Sequence, residues 1–316
     1  MADEIKTNAL GRKAAEQLAD VVKTAPQYGA LTPRWLTRVL EFKGLDSGIY
    51  RVNKVVEGDT PLDVLCSQDP NKTEIPQGYV EYQTNPREHK LSSISTILNI
   101  DTKISDVYSS PFDQSAEQIS LTVAALQERQ ESQIVNNDDY GLLKNIAPSQ
   151  RVKTIAGRPM PDDLDELLSK VWKDPSFFLA HPKAISAFGR ECTRRGVPPP
   201  TVNIYGGTFI TWRGIPLIPT DKLFVDGLKT PKGKRGKTNI LLVRTGENKR
   251  GVIGLYQKNL PGQQARGLSV RLRGINDEGT ASYLLSVYCS AAILADDAIA
   301  VLEDVEVGEY YDYSKI

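Results

Sequence analysis

The chain has 316 residues, with 39 basic and 39 acidic side chains, 40% apolar residues and only two histidines. A chain of this length buries about three quarters of its unfolded surface and could form about two ordinary domains or one elongated one. Zero net charge disfavours nucleic acid as the main partner and leaves little self-repulsion to keep copies of the chain apart.

Cysteine usage and hydropathy exclude several further classes of protein. Cys66, Cys192 and Cys289 are widely spaced and contain no CxxC pair, which disfavours a disulfide framework or a zinc site and suits a reducing cytosol. The first twenty residues carry too many charges for a signal peptide. No apolar stretch approaches the ~20 residues that span a membrane, and the nearest, YLLSVYCSAAILADDAIAVL, is broken by Asp296 and Asp297. We therefore expect a cytoplasmic protein without a membrane span.

The amino-terminal residues, 1–47, predict two amphipathic helices. The apolar face of the first helix is formed by Leu10, Ala14, Leu18 and Val21. The second helix begins at Thr32–Pro33, a cap followed by proline at the first helical position, and is predicted to end at Gly44. Its apolar side includes Trp35. Such a pair forms either a layer of the subunit's own core or an arm that packs on another subunit.

Residues 48–110 change from a helical to an alternating pattern. YRVNKVV and GYVEYQT alternate like strands, and IPQG and TNPRE supply turns. This pattern predicts an extended β-hairpin with few apolar residues to bury, among them Tyr79, Val80 and Tyr82. Because an isolated hairpin is only marginally stable in water, we expect it to rest on another surface.

A long helix is predicted next, within residues 111–150. It begins near Asp113 or Ser115 and ends at the polar stretch QESQIVNNDDYGLLKN. At about thirty residues it would be a spine of near 45 Å. One narrow apolar face carries Ile119, Val123, Leu126, Gln130 and Ile134. Leu121 and Ala125 lie nearly opposite, and a helix with two thin apolar stripes is wedged between layers or bridges subunits.

The remaining residues, 151–316, predict a lobe of mixed helices and strands. Helices are predicted at DDLDELLSKVWK, whose apolar side includes Trp172, and at AISAFGREC, with the strand SFFLAH between them. The other segments are typical of strands: FITW, IPLIP, NILLVRT, VIGLYQ, LSVRLRG, YLLSVYCSAAIL and IAVLEDVEV. The predicted fold class is α+β.

Residues suited to catalysis or metal binding are sparse. His89 lies in a charged turn and His181 precedes Pro182, and no GxSxG nucleophile elbow supports a catalytic triad with either. The Asn136–Asp139 cluster lacks the spaced acids and the Glu of an EF-hand calcium loop. Asn and Asp also satisfy free backbone groups in turns, where Gly141 would supply a left-handed residue. We therefore predict no catalytic residue, no metal site and no cofactor site.

One basic segment partly matches the sequence motif of a phosphate-binding loop. PKGKRGKT ends like a Walker A motif, but residue 231 is proline where the first glycine is required, and a strand follows instead of a helix. The segment is predicted to be a solvated basic tip or, alternatively, the rim of a pore. Its basic residues are Lys229, Lys232, Lys234, Arg235 and Lys237.

The order of these elements resembles the tailed-phage major capsid fold, with a helical arm, a projecting hairpin, a spine helix and an axial lobe. Capsid proteins and encapsulins often end the spine with an acid or amide, an apolar residue, an Asn/Gly/Asp turn and Gly-Leu. The matching residues here are Glu131, Ile134, Asn136, Asn137, Asp138, Gly141 and Leu142. LAHPKAISAF (179–188) and GIPLIPTDKL (214–223) are similar to two segments of the axial lobe. The resemblance implies four parts: arm 1–47, extended loop 48–110, peripheral-domain spine 111–150, and axial lobe with closing strands 151–316.

The whole chain is similar to the second family of encapsulins, the shell proteins related to the sulfur-regulated protein SrpI. The segments that carry this similarity are NALGRKAAEQLADVVKTAPQYGALTPRWL and AIAVLEDVEVGEYYDYSKI. The chain has no room for the cyclic-nucleotide-binding domain of some members, which places it in the insertion-free type 2A group. The resemblance implies a non-enzymatic subunit of a closed icosahedral cage of about sixty copies. It also implies a pyridoxal-phosphate cysteine desulfurase as cargo and a role in sulfur metabolism. No motif supports the flavin site of some first-family encapsulins.

On this interpretation the residues that mediate assembly lie on the arm and the hairpin, and they are Leu10, Leu18, Val21, Trp35, Tyr79, Val80 and Tyr82. Two alternatives remain open. A phage or prophage capsid protein usually carries a segment to be cleaved, whereas this chain starts almost at once with predicted helices. A soluble α+β enzyme or binding protein would lack an identifiable catalytic set.

Overall fold

The computed structural model describes residues 33–53, 84–100, 114–227, 236–277 and 280–308. The helices are α1 (Trp35–Val39), α2 (Gln114–Asn136), α3 (Pro161–Lys170) and α4 (Pro182–Arg194), with short 3-10 turns at Pro148–Gln150 and Asp296–Ala298. The strands are β1 (Phe42–Leu45), β2 (Ile49–Val52), β3 (Arg87–Lys90), β4 (Ser92–Ile100), β5 (Arg151–Lys153), β6 (Phe177–Ala180), β7 (Thr201–Ile204), β8 (Gly207–Trp212), β9 (Ile215–Pro219), β10 (Gly236–Val243), β11 (Val252–Gln257), β12 (Gln263–Ala265), β13 (Leu268–Ile275), β14 (Ala281–Ile293) and β15 (Ile299–Val307). The predicted α+β class is confirmed.

The first sheet is built around the long strand β14. Residues 281–287 of β14 pair antiparallel with β13 on one edge and with β4 on the other, and residues 289–293 of β14 pair antiparallel with β11. The sheet is completed by β12 on β13 and by β1, which runs parallel to β11. Helix α2 lies on one face of this sheet, where Ile119, Val123 and Leu126 pack against Leu285 and Val287. The apolar residues of α2 recur at helical spacing because they face this sheet.

The second sheet has the order β5-β15-β10-β6-β9-β8-β7, and its central strands are covered on both faces. Phe178 and Leu242 face α3 and α4, whereas the alternating residues Leu179 and Leu241 face the cluster that contains α1 and the end of α2. A strand buried on both faces is apolar at every position. This explains why FFLA and IAVL are continuous apolar runs.

The second predicted helix is shorter than expected. Helix α1 ends at Val39, and Phe42–Gly44, which were predicted as helix, lie in strand β1. Glu41 donates its backbone N–H to Thr245 Oγ1 at 3.0 Å, and its carbonyl accepts the N–H of Gly254 at 2.8 Å. Pairing with β11, about two hundred residues away in sequence, thus overrides the local helical pattern.

The spine helix α2 also differs from its prediction in length. It runs for 23 residues from Gln114 to Asn136, about 34 Å at 1.5 Å per residue. Its end lies at the predicted polar cluster. On the opposite stripe Ala125 is exposed and Leu121 half-buried. That stripe therefore adds little to the packing of the subunit, and a bridging role for it stays a prediction.

Within the predicted hairpin the structure describes one antiparallel pair of strands. Ile49–Val52 pairs with Arg87–Lys90, although Arg87 and Glu88 were expected in a turn. This polar segment forms a strand because backbone pairing stabilises it, together with the ion pair between Arg51 and Glu88 at 2.9 Å. Residues 54–83, which contain most of GYVEYQT, lie outside the described part.

Two side chains are placed differently from the sequence prediction. Trp172 is 70% exposed, because α3 ends at Lys170 and the chain turns before the tryptophan. His89 lies in strand β3 instead of a charged turn. Burial, followed by the nearby charge of Arg87, lowers the pKa of His89 to about 4.

Candidate assembly site at the end of the spine helix

The polar cluster that ends α2 is a hydrogen-bonded turn. Asn137 Oδ1 accepts the backbone N–H groups of Asp139 at 2.9 Å and Tyr140 at 3.3 Å. The N–H groups of Leu142 and Leu143 return to the carbonyls of Ile134 and Val135 at 2.8 and 3.0 Å. These bonds satisfy helix-end carbonyls that would otherwise lack partners. The asparagine therefore stabilises the turn, as the sequence indicated.

Gly141 serves this turn for a reason that differs from the predicted one. It does not adopt a left-handed backbone conformation. Instead, a Cβ atom at this position would lie 2.3 Å from the carbonyl oxygen of Asn137 and 2.4 Å from its nitrogen. The glycine is required because the returning chain passes directly against the end of the helix.

A buried carboxylate on the spine binds the segment that contains α1. Glu131 is 2% exposed, and its Oε1 accepts the backbone N–H of Leu36 at 3.0 Å. Leu36 is itself fully buried. Burial raises the pKa of Glu131 to about 7, opposed by the Leu36 N–H and by Lys222 and reinforced by Glu128 and Asp221. The carboxyl group therefore changes its charge near neutral pH.

A second link joins the spine to the loop after β9. Lys222 Nζ lies 2.6 Å from Glu128 Oε2 and 2.7 Å from Asp221 Oδ1. Burial disfavours the charged amine, but its two carboxylate partners hold the pKa of Lys222 above the usual value. Asn136 Nδ2 also donates to the Lys222 carbonyl at 2.8 Å. The same end of the helix is thus tied both to α1 and to the lobe around the second sheet.

Trp35, predicted to mediate assembly, packs inside its own subunit. Its ring meets that of Phe209 edge to face, with centroids 5.1 Å apart, and the Arg38 guanidinium lies 5.1 Å from the Trp35 ring centroid. Together with Leu36 and Leu40 in the core, this contact fastens α1 to the subunit. We name the contacts of α1 with Glu131, Phe209 and the core the α1 anchor. The described chain is thus fixed to the subunit close to its first residue, Pro33.

The other predicted site residues are spread over the molecule. Of the spine residues, Leu126 and Ile134 are buried, and Ile119 and Val123 are half-buried. Lys237 belongs to strand β10 instead of a loop and lies 3.3 Å from Asp304. The remaining predicted residues lie outside the described part, and they are Leu10, Leu18, Val21, Tyr79, Val80, Tyr82, Lys229, Lys232, Lys234 and Arg235.

The described residues provide no assembled catalytic or metal set. His181 caps α4, with its Nδ1 accepting the Lys183 N–H at 3.1 Å. Among the described residues, no group of three or more His, Cys, Asp or Glu side chains converges as metal ligands would. None of the described helices is both long and apolar enough to cross a membrane.

Sequence reasoning missed the contacts that give this site its strength. Glu131 was identified only as part of a motif, and Lys222 only as one residue of the segment GIPLIPTDKL. Their partners Leu36 and Glu128 lie 95 and 94 residues away. The only local signal was the pair Glu128 and Glu131, which lie about one turn apart on α2, a helix with few other carboxylates.

Comparison with known proteins identifies relatives over nearly the full chain. A family model described as type 2A encapsulin shell protein SrpI-like matches residues 51–309. The type 2A encapsulin shell protein SrpI of Synechococcus elongatus is 54% identical over 313 residues, covering 99% of both chains. A relative from Mycolicibacterium paratuberculosis, also a type 2A encapsulin shell protein, is 51% identical over 98% of both chains.

Solved structures agree with these relatives. The chain is similar to the holo-SrpI encapsulin complex of Synechococcus elongatus, determined by cryo-electron microscopy, with a TM-score of 0.81 and 53% identity over 96% of this chain and 99% of that one. The capsid of a native GTA particle has a TM-score of 0.58 at 13% identity, covering 93% of this chain and 98% of that one. The second likeness concerns the fold alone, and the predicted capsid fold is confirmed.

Proposed function

The chain belongs to the SrpI-like family of type 2A encapsulin shell proteins, and from this premise we propose that its copies assemble into a closed cytoplasmic cage around a cargo enzyme. The cage is icosahedral and has about sixty copies. The shell relatives carry this proposal, because they match 99% of the chain at 54% identity. The relatives are described as shell proteins, which supports a non-enzymatic subunit.

The architecture of the subunit supports an assembly role for its amino-terminal segment. The α1 anchor fixes the point from which residues 1–32 depart. The sequence of these residues predicts a helix with its own apolar face. When such a segment is attached to a subunit, a neighbouring copy provides a surface on which its apolar face is removed from water. We extend this role to the hairpin residues Tyr79, Val80 and Tyr82.

The four-part division of the chain belongs to the same proposal. Residues 1–47 are the arm, 48–110 the extended loop, 111–150 the peripheral-domain spine, and 151–316 the axial lobe with strands that close the peripheral domain. The spine's position against the first sheet and the second sheet's position beyond residue 150 support this division. The basic residues around 229–237 are proposed as a pore rim or an outer tip.

For the cargo, we propose a pyridoxal-phosphate cysteine desulfurase, which links the cage to sulfur metabolism. The support is the family resemblance, in which the insertion-free group encloses such an enzyme. Co-expression of the shell with a desulfurase from the same genome, followed by purification of intact cages, tests this assignment. The yellow absorbance of pyridoxal phosphate should co-purify with the cages, and an unrelated pyridoxal-phosphate enzyme should be excluded from them. Equal uptake of both enzymes, or of neither, would contradict the assignment.

Negative-stain electron microscopy of the protein expressed alone, together with size-exclusion chromatography, tests the cage itself. Uniform hollow spheres are expected. A monomer or small oligomer as the sole product would overturn self-assembly of this chain. No observation favours a phage capsid role over the shell, because the likeness to capsids concerns the fold alone.

A further inference from the structure

A cavity apart from the α1 anchor is lined mainly by arginine and amide side chains. It has a volume of about 300 Å³ and lies between α1, the spine helix and the turn that joins β12 to β13. Arg34 and Arg38 come from the α1 segment, Gln127 from the spine and Arg266 from the turn, and Phe42 of β1 adds an apolar wall. We propose that this cavity binds the oxyanion group, phosphate or carboxylate, of a small solute.

The charge of the lining argues for an anion. The charged residues that line the cavity are all arginines. Arg34 also borders a neighbouring cavity, which is lined by Glu131 and Asp221. Arg38 and Arg266 form no ion pair within the described part of the chain. Like charges that share a partly enclosed space repel one another, and a bound anion would convert that repulsion into attraction.

Two of the three arginines, Arg34 and Arg38, are also held in position before any ligand arrives. The Arg34 guanidinium donates to the side-chain oxygen of Gln127, and Arg38 stacks over the Trp35 ring. A planar guanidinium presents paired N–H groups that match two oxygens of a phosphate or carboxylate. Because these side chains are already ordered, less conformational entropy is lost when an anion binds.

The backbone at Arg34 supports the same conclusion. Arg34 has φ 52° and ψ 50°, the left-handed conformation that residues with a Cβ rarely adopt. Such strain persists where the surrounding structure requires it and is concentrated at ligand sites and switches. In this conformation the Arg34 side chain reaches Gln127 on the spine, which places its guanidinium at the boundary of the cavity.

The size of the cavity restricts the ligand. Ligand sites in proteins typically have volumes of roughly 300–1,000 Å³, so this cavity suits a small molecule and is too small for a large cofactor. Two arginines without an ion pair among the described residues favour a dianion. The Phe42 wall can accept a short carbon chain. The ligand class is therefore a small phosphate ester, pyrophosphate or short dicarboxylate.

Isothermal titration calorimetry of intact cages tests the proposal, with sodium pyrophosphate and sodium malonate as probes in a buffer free of phosphate, sulfate and carboxylates. We expect saturable binding of at least one probe at one site per subunit. Arg38→Gln and Arg266→Gln should each weaken binding about tenfold or more. Arg38→Lys should recover only part of the affinity, because lysine retains the positive charge but lacks the paired N–H groups of a guanidinium.

The matched control is Arg273→Gln, which removes an exposed arginine of β13 that does not line the cavity. It should leave binding unchanged. Preference for malonate would identify a carboxylate ligand, and preference for pyrophosphate a phosphate ligand; either result supports the site. The absence of saturable binding of both probes to cages, or equal effects of cavity and control substitutions, would overturn it.

Binding and assembly are scored separately, because electron microscopy reports cages independently of calorimetry. Dissociated subunits are titrated in parallel. If they bind the probes while intact cages do not, carboxylates of a neighbouring copy occupy the cavity and the small-solute proposal fails. If a glutamine variant forms no cages, its binding is compared with that of dissociated wild-type subunits, and undiminished affinity would again contradict the proposal.

Discussion

The two large sheets of the subunit differ in how much of their apolar surface the described subunit covers. In the second sheet, β6, β10 and β15 are buried on both faces by elements of the same chain. The first sheet is covered by α2 on one face, and Leu272 and Ile275 at the far end of β13 are 55% and 51% exposed. The central strands of the second sheet therefore form a complete core, whereas the far end of β13 in the first sheet leaves apolar side chains exposed in the described subunit.

Removal of residues 1–32 gives the largest expected effect on assembly. The truncation retains the α1 anchor, so the second sheet and its core should fold, but cages should be lost entirely. Size-exclusion chromatography and electron microscopy measure assembly, and circular dichroism confirms the folded subunit. Leu10→Ser/Leu18→Ser in the full chain is a milder version of the same test. Intact cages from the truncated chain would refute the role given to the arm.

The complete core of the second sheet predicts the largest loss of stability from a single substitution. Phe178 is fully buried between β6 and the helices α3 and α4. Phe178→Ala should lower the free energy of unfolding by about 3–5 kcal/mol, measured by chemical denaturation. Ile97→Ala, at a position 51% exposed on β4, is the control and should change it by about 0.5 kcal/mol or less. Equal losses would contradict the contrast between the sheets.

The α1 anchor predicts an intermediate effect. Glu131→Ala removes the acceptor of the buried Leu36 N–H and should cost about 1–3 kcal/mol, measured near pH 5.5, where the carboxyl group is protonated. Glu131→Gln keeps an acceptor oxygen and is the matched control. Limited proteolysis near residue 33 should accelerate in the alanine variant and stay unchanged in the glutamine variant. Identical behaviour of the two variants would refute the anchoring contact.

The raised pKa of Glu131 also predicts a pH dependence with a defined sign. The folded carboxyl group, with its pKa near 7, binds a proton that the unfolded chain has already released. Its contribution to stability is therefore present at acid pH and lost as pH rises through about 7. The change amounts to at most about 3 kcal/mol between pH 5 and 8. Denaturation of the wild type and of Glu131→Gln measures it, and an equal slope in both would exclude Glu131 as the cause.

The same contrast between regions shows what the sequence can and cannot predict. IAVLEDVEV matches β15, Ile299–Val307, because a strand with an apolar core is recognisable from its own residues. Phe42–Gly44, the first three residues of β1, were wrongly predicted as helix, because the partner strand β11 lies about two hundred residues away and no local pattern encodes that pairing. Propensity is overridden where a distant strand supplies the backbone hydrogen bonds.

The candidate site was predictable to a similar extent. The turn after α2 was predicted from its Asn and Gly residues, since these residue types act within a few positions of themselves. The depth of Glu131 and its bond to Leu36 depend on where α1 packs, and the conformation of Gly141 depends on how closely the chain returns to the helix end. Such contacts are properties of the folded chain and have no signature in a short segment.

The exposed end of the first sheet predicts the smallest effect on the subunit but a clear effect on the cage. Leu272 and Ile275 lie opposite Tyr283 and Ala281 of β14, on the sheet face that α2 covers farther along. Leu272→Ser/Ile275→Ser should change the stability of dissociated subunits by no more than about 0.5 kcal/mol per site, because both side chains already contact solvent there. If neighbouring copies bury them, each lost contact is repeated throughout the shell, and cages should dissociate at a lower concentration of denaturant.

Val197→Ser, at an exposed apolar position after α4, controls for a general loss of surface hydrophobicity. Cages as resistant as the wild type would show that this end of the sheet faces solvent in the assembly, and the contrast between the two sheets would then reflect only a thinner core.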